Sequence, residues 1–347
     1  MSHLNPVTIP DIARHAGVGT ATVDRVLNGR AGVNLETTNK VLQAIEALGA
    51  PVIQRGRPKV KKTLRFAYVL PKGHAKFFNL LERRIALQAS EFRHQNITEL
   101  TYTFDAEDAD SFARQFASLG ECAGIAVLAP DVPSIKQAIN QKIKEGVHVV
   151  TLLSDVAGSM REVYIGPDNR AAGRTAGLLL ARMTKHDDRD TVLLLSHPTR
   201  LASDSDRRFG FIQKIEEDYK HLKILHTPEL PVTDDEIHKA IVNLLSSDID
   251  ADRVAAIYGT GGIGTAGVIS ALKSLGLSEK IPMLVHDLTD VHQEVLSRNE
   301  VAYVLDQDIQ YCVSAAAKVL RGLCENVRGA IQVPRPRIEI LTSENYH

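Results

Sequence analysis

Polar side chains stand just beyond a series of short apolar runs in the later part of this sequence. They are Lys72 to Phe78 with its aromatic pair Phe77-Phe78, Ala129-Pro130-Asp131, Ser154-Asp155, His197 to Arg208, Gly259 to Gly264, His286-Asp287 and Asp306-Gln307-Asp308. Carboxylates, an amide, an arginine and aromatic faces suit a ligand rich in hydroxyls, because each hydroxyl both donates and accepts while the carbon skeleton needs an apolar wall. A sugar or polyol fits that set. Strand-end acids also cap following helices, and Phe77 and Phe78 could simply belong to a core, so no one residue carries the reading. No Ser/His/Asp order, HExxH or P-loop is present, which points to binding rather than bond-making and to no metal.

A second chemistry stands near the start. Thr20, Ala21, Asp24, Arg25 and Asn28 would share one face of a short helix, and small, polar and cationic side chains are what a helix presents to a DNA major groove. Arg25 is the candidate base or phosphate contact. Further on, Arg55-Gly56-Arg57-Pro58-Lys59 is similar to the core of an AT-hook, in which extended backbone lays Arg55 and Arg57 along a narrow A·T minor groove. A charged tether is the other reading of that stretch. Gly259-Thr260-Gly261-Gly262-Ile263-Gly264 satisfies G-x-G-x-x-G after the apolar run VAAIY, with Asp287 downstream, and by itself would mark a dinucleotide-binding dehydrogenase. It lies in the last third of the chain rather than at the opening of a sheet, so a crowded cleft wall is the preferred explanation and no cofactor is expected.

The elements that must position these groups follow from periodicity. Thr8 and Asp11 resemble a capping box, Ile9, Ile12, Ala13 and Ala16 recur at helical spacing, and Gly17-Val18-Gly19 breaks the helix with one apolar plug. Thr20 to Asn28 then place Val23, Val26 and Leu27 on one face, and Asn34 can cap a third helix whose Val41, Leu42, Ile45 and Leu48 close a three-helix core. Ala50-Pro51 ends it, and residues 51–63 have no helical period. From Leu64 short β-rich runs alternate with helical segments: LRFAYVL, GIAVLA, HVVTLL, TVLLLS, KILH, VAAIYG, MLVHDL and AYVLD. Alternation of this kind predicts parallel sheets with crossover helices, and the runs divide into two α/β lobes near Tyr164 to Asp168. Expected domains are therefore a helix-turn-helix head over 1–50, a basic linker over 51–63 and a two-lobed body over 64–347.

Charge supports the division. The whole chain is near neutral at −1, yet through Lys62 nine Lys or Arg face four acids, leaving the body about −6. A cationic head on an anionic body presents one end to DNA. Cys122, Cys312 and Cys324 form no CxxC, the N-terminus lacks an apolar signal core, and no apolar run reaches the eighteen or so residues of a membrane span. A reduced, cytoplasmic setting without membrane contact is expected, which also disfavours an exported sugar-binding protein.

VTIPDIARHAGVGTATVDRVLNGRAGVNLETTNKVLQAIEALG resembles the head of the lactose/galactose repressor family, and the body, with its sector YIGPDNRAAGRTAGLLLARM, resembles that family's sensor of the periplasmic-binding-protein type. The resemblance implies a DNA-binding repressor, not an enzyme, that associates with the nucleoid and whose grip on operator DNA is set by a sugar, polyol or sugar derivative. It implies that Thr20, Ala21 and Arg25 read bases and that Thr8, Thr22, Asn28 and Asn34 hold phosphates. In the body it matches Phe77, Phe78, Arg207 of the R-x-x-G-F pattern, Asp287 and Gln307 to ligand-binding positions, with Asp131, Ser154 and Asp155 beside them. Gly19 and Asp24 stand where the family has Ser, and Asp24 can shape operator preference by accepting from a cytosine amino group. The family's hinge helix is not legible in 51–63, and Gly261-Gly262 replaces its Asn-Asp. Leucine heptads are lacking near TSENYH, so a homodimer is expected.

Overall fold

The computed structural model describes residues 7–27, 32–48, 63–72, 76–92, 96–184, 188–196, 200–227, 229–261 and 264–346. The chain divides into two compact units at Lys62/Thr63.

In the first unit α1 (Ile9–Ala16), α2 (Thr20–Leu27) and α3 (Leu35–Ala47) bury Ile12, Ala13, Val23, Val41 and Ala44 together. Thr8 precedes α1, its backbone N–H donating to Asp11 Oδ2 at 2.9 Å, and Gly17 ends that helix at φ +65, a left-handed turn that glycine adopts without steric cost. Val18, the apolar plug, packs against the core. Asn34 Oδ1 accepts from the Thr37 N–H at 2.8 Å and starts α3. One core expectation fails: Leu42 is 52 % exposed. Positions 41, 44, 45 and 48 complete the inward stripe of α3, and Leu42 lies on its flank.

The second unit holds two lobes of the same design. The first contains β1 (Leu64–Lys72), α4 (Lys76–Phe92), β2 (Ile97–Asp105), α5 (Ala109–Ala117), β3 (Gly124–Val127), α6 (Pro133–Lys144), β4 (His148–Leu152) and β5 (Tyr164–Ile165). Its parallel sheet runs β2-β1-β3-β4-β5. The chain then crosses to the second lobe: α7 (Asn169–Met183), β6 (Thr191–Leu195), α8 (Ala202–Asp218), β7 (Lys223–His226), α9 (Asp234–Asn243), β8 (Val254–Gly259), α10 (Thr265–Ser274), β9 (Met283–His286), α11 (Asp290–Ser297) and β10 (Tyr303–Gln307). It returns as α12 (Ile309–Cys324), whose Cys312, Val313, Ala316 and Leu320 lie in the first lobe's core, and ends with β11 (Ile338–Leu341) back on the second sheet. That sheet runs β7-β6-β8-β9-β10-β11 and is parallel except for β10 with β11. Three strands of chain therefore join the lobes, after Ile165, after Gln307 and before Ile338.

All eight apolar runs fall in strands. β2, β5 and β11 bring the total among the described residues to eleven. β2 escaped an apolar scan because it is an edge strand, ITELTYTFD, with many exposed positions. Both sheets are sandwiched by helices, which explains the unbroken apolar runs of β3 and β8.

Candidate functional site

Arg207 anchors the floor of the cleft in the second lobe. Helix α8 lies unusually close to α7 because glycines meet backbone: a Cβ on Gly210 would stand 2.0 Å from the Arg170 carbonyl oxygen, and one on Gly173 would stand 1.9 Å from that of Arg207. Phe211 beyond it stacks on Tyr258, ring centroids 4.4 Å apart. The R-x-x-G-F pattern thus docks one helix and delivers its arginine inward.

There Arg207 is 4 % exposed, and its Nε donates to Asn169 Oδ1 at 2.9 Å while Nη1 donates to the Thr260 carbonyl at 3.1 Å. Asp287 Oδ2 lies 3.6 Å from the same Nη1. Burial opposes the guanidinium's charge, but Asp287 and Asp204 beside it raise its hold on the proton. Asp287 itself takes φ +68 just after β9, an uncommon backbone for a non-glycine residue. Gln307 Nε2 donates to Asp287 Oδ1 at 2.7 Å, and Gln307 Oε1, buried, has no partner among the described residues. A buried acceptor left unmade costs about 1–3 kcal/mol, which a donor on a ligand would recover.

The facing wall comes from the first lobe. Ser154 is fully buried, and its Oγ accepts from the Ser203 N–H across the cleft at 3.1 Å. Asp131 donates its backbone N–H to the Arg200 carbonyl at 3.0 Å, a second bond between lobes. Asp155 is committed inside its own lobe to Arg161, to the Thr151 hydroxyl at 2.7 Å and to the Val156 N–H at 2.8 Å. Burial would raise its carboxyl, but those hydrogen bonds hold it below the ordinary value. Phe77 and Phe78 open α4 edge to face at 5.7 Å and are half-buried against the first lobe's core, so core packing accounts for much of their surface.

Arg207, Asp287 and Gln307 are thus brought together, Ser154 and the backbone of Asp131 meet the second lobe at Ser203 and Arg200, and Asp155 is turned to Arg161. Ser203 and Thr260 fall within the polar stretches His197 to Arg208 and Gly259 to Gly264 but are not distinguished there by sequence, and Asn169 lies outside all of those stretches. Asn169 stood in the sector beginning at Tyr164, where an Asp168-Asn169 helix start was the available signal.

The glycine motif has a packing explanation. A Cβ on Gly261 would meet Asp204 Oδ1 at 2.5 Å, and one on Gly264 would meet Ile237 at 2.2 Å. A carboxylate covers the backbone that a pyrophosphate would need, so dinucleotide binding is disfavoured. Gly262 and Ile263 lie outside the described residues.

On the head, Thr20, Ala21 and Arg25 are exposed on α2, while Thr22 and Asp24 are half-buried. The Thr8 hydroxyl donates to Asp11 Oδ2 at 2.5 Å, and Asn34 Oδ1 is taken by its own helix. Asn28, Arg55 and Arg57 lie outside the described residues, as does the rest of the linker through Lys62. No helix among the described residues is long and apolar enough to cross a membrane.

Residues 66–326 match the model of the periplasmic binding protein domain, and residues 8–49 that of the bacterial regulatory proteins of the lacI family. The chain is 22 % identical over 290 residues to the HTH-type transcriptional regulator GalS of Salmonella typhimurium, covering 82 % of this chain and 81 % of that protein. It is 39 % identical over 93 residues to the catabolite control protein A of Priestia megaterium, which is 26 % of this chain and 28 % of that one. Among solved structures, the glucose-galactose binding protein GanP of Geobacillus stearothermophilus superposes with a TM-score of 0.71 at 20 % identity, over 82 % of this chain and 99 % of that one. A protein of Bacteroides fragilis described as a LacI transcriptional regulator gives 0.72 at 18 % identity, over 82 % and 100 %.

Proposed function

Because the chain belongs to the lacI family of bacterial regulatory proteins and carries the periplasmic binding protein domain over most of its length, we propose that it is a cytoplasmic, non-enzymatic repressor released from its operator by a small sugar-like effector. The observation that carries this reading is the buried Arg207-Asp287-Gln307 floor with its unused acceptor, in the same chain as a helix whose exposed Thr20, Ala21 and Arg25 suit a major groove. Two heads of a homodimer occupy successive half-sites of a near-palindromic operator, and the segment 51–63 joins head to body, with Arg55 and Arg57 entering the minor groove between half-sites. The effector sits between the lobes, where Asp131, Ser154, Asp287 and Gln307 meet it, and changes their closure. Coupling of this kind is reciprocal: whatever effector does to operator affinity, operator does to effector affinity.

Selection of genomic fragments by the full-length protein, followed by fluorescence anisotropy on the enriched sequence, tests it. A preferred palindromic site is expected, with Arg25→Ala costing about 1–3 kcal/mol and relaxing preference at one base position. Recovery of no preferred sequence would overturn the reading.

A further inference from the structure

Helices α3, α5, α7, α9, α11 and α12 each begin on an Asn, Asp or Thr whose side chain accepts from an amide of the first turn. Helix α8 begins instead on Leu201, whose side chain makes no such bond. Apolar residues are poor caps, and the first amides of a helix have no partner within it. The other lobe supplies what Leu201 does not. Ser154, fully buried at the end of the first lobe's β4, accepts at Oγ from the Ser203 N–H at 3.1 Å, and the Arg200 carbonyl accepts from the Asp131 N–H at 3.0 Å. Between those two bonds Leu201 is 9 % exposed, and it is buried in the apolar cluster of the first lobe, the cluster of Leu128, Leu152 and Leu153. Among the described residues between Asn169 and Gln307, Leu201 alone belongs to that cluster. A local rule of helix starts is thus given up where the residue serves a contact between lobes. The capping serine is itself braced: Asn169 donates to the carbonyl of Leu153 beside it at 3.2 Å and accepts from Arg207 of α8 at 2.9 Å.

We propose that residues 200–203 are a latch that shuts the two lobes by contacts of the protein alone: Leu201 is its apolar bolt, Ser154 caps α8 from the opposite lobe, and the bond from Asp131 to Arg200 closes beside them. Opening the lobes brings Leu201 into water and leaves the Ser203 amide without its acceptor, and both costs favour the closed arrangement. Each lobe keeps its own sheet when the latch releases, because the latch contacts lie outside both sheets. Ser154 spends only a lone pair on Ser203, so its own hydroxyl hydrogen stays available to a ligand. An effector of this cleft therefore does not draw open lobes together. It enters during the fraction of time that the latch is released, and it acts on a body that is otherwise already shut.

The test is hydrogen exchange of the full-length chain with no sugar added, read at single amides by mass spectrometry. In the parent protein the Asp131 and Ser203 amides should exchange far more slowly than in an unstructured peptide. Leu201→Ser removes the bolt while placing a favoured capping residue at the head of α8, so the helix keeps a start of its own. That variant should speed the Asp131 amide, which lies in the other lobe, by about tenfold or more, while the amides of β6 and β8 keep their parental rates. Ser154→Ala, with the bolt in place, should speed the Asp131 and Ser203 amides by about threefold or more. The latch is overturned if either amide of the parent exchanges as in an unstructured peptide, or if Leu201→Ser leaves the Asp131 amide as slow as before. Should Leu201→Ser loosen β6 and β8 to the same degree, Ser154→Ala decides alone, and an unchanged Asp131 amide in that variant makes Leu201 an ordinary core residue and ends the proposal. None of these outcomes depends on what the cleft binds, so the effector reading stands or falls separately.

Discussion

The two lobes share a strand order, and in each the fourth strand in that order ends on a left-handed residue, Leu153 after β4 at φ +61 and Asp287 after β9 at φ +68. Neither is glycine, so each kink costs on the order of 1 kcal/mol that its surroundings must offset. What offsets it differs. In the first lobe the Leu153 side chain is buried, and its carbonyl accepts from the Tyr164 hydroxyl at 3.1 Å and from Asn169 Nδ2 at 3.2 Å, where the chain crosses between lobes. In the second lobe the side chain itself is used, by Arg207 and Gln307, and the carbonyl accepts from His292 Nδ1 at 2.5 Å. One topology therefore places the same strained turn at the cleft twice, once to fasten a crossing strand and once to build a charged floor.

The difference is broken most severely at Asp287. Asp287→Ala leaves Arg207 buried without its counter-charge and Gln307 Nε2 without an acceptor, and should cost about 3–5 kcal/mol in urea denaturation. Asp287→Asn keeps an acceptor and tolerates the left-handed backbone, and should cost clearly less. A loss below about 1 kcal/mol for the alanine variant would mean that the floor is not a structural unit. Next comes Asn169, which joins the two solutions by accepting from Arg207 and donating to Leu153. Asn169→Leu keeps the volume but leaves Arg207 Nε without its acceptor and the Leu153 carbonyl with the Tyr164 hydroxyl alone, and about 1–3 kcal/mol should be lost. Because the residue ties floor to crossing strand, its loss and that of Asp287→Ala should not add when combined.

Much of this arrangement was legible before any coordinates. Apolar runs disclosed the central strands, and polar residues just beyond them included Arg207, Asp287 and Gln307, because ligand groups in such sheets gather at strand ends. What stayed hidden depends on partners distant in sequence. Asn169 reads as the first residue of a helix, and nothing local says that it will meet Arg207 or Leu153. Thr260 contributes a carbonyl, which every residue has. Leu42 misled because composition places leucine inside, whereas the α3 stripe was already filled by Val41, Ala44, Ile45 and Leu48.

Two buried histidines sharpen the comparison through pH. His286 and His292 line the Asp287 turn and have no counterpart at Leu153. Desolvation holds both below 6.5, His286 well below, and each accepts at Nε2 from a hydroxyl, Tyr258 at 2.8 Å and Thr265 at 2.8 Å. The folded protein therefore refuses protons that the unfolded chain takes up below about 6.5, so their contribution is intact above that pH and is lost as pH falls from there toward the folded values. The slope is at most about 1.4 kcal/mol per pH unit for each histidine. Asp306, pushed up to about 7 chiefly by burial, acts in the opposite direction over the same range. The difference between the parent and His286→Gln, followed by urea denaturation from neutrality to pH 5, isolates the histidine. An unchanged slope in the variant would remove His286 from the account.

The smallest effect belongs to the contact that lies outside both turns. Arg83 of α4 reaches Asp290 of α11, its Nη2 3.0 Å from Oδ2 and 3.1 Å from Oδ1, and so ties the lobes together on the solvent side. Both side chains are more than half exposed, at 57 % and 73 %, so water and salt screen the attraction. Arg83→Ala should therefore change global stability by no more than about 0.2–1 kcal/mol. A bias that small still matters to closure, because removing it weakens only the closed arrangement: effector affinity should fall by up to about fivefold at low ionic strength, and the loss should shrink as salt is added. A deficit that persisted undiminished in high salt would mean that Arg83 acts through packing of its stem against α11 rather than through charge, and that the lobes are held shut from within the cleft.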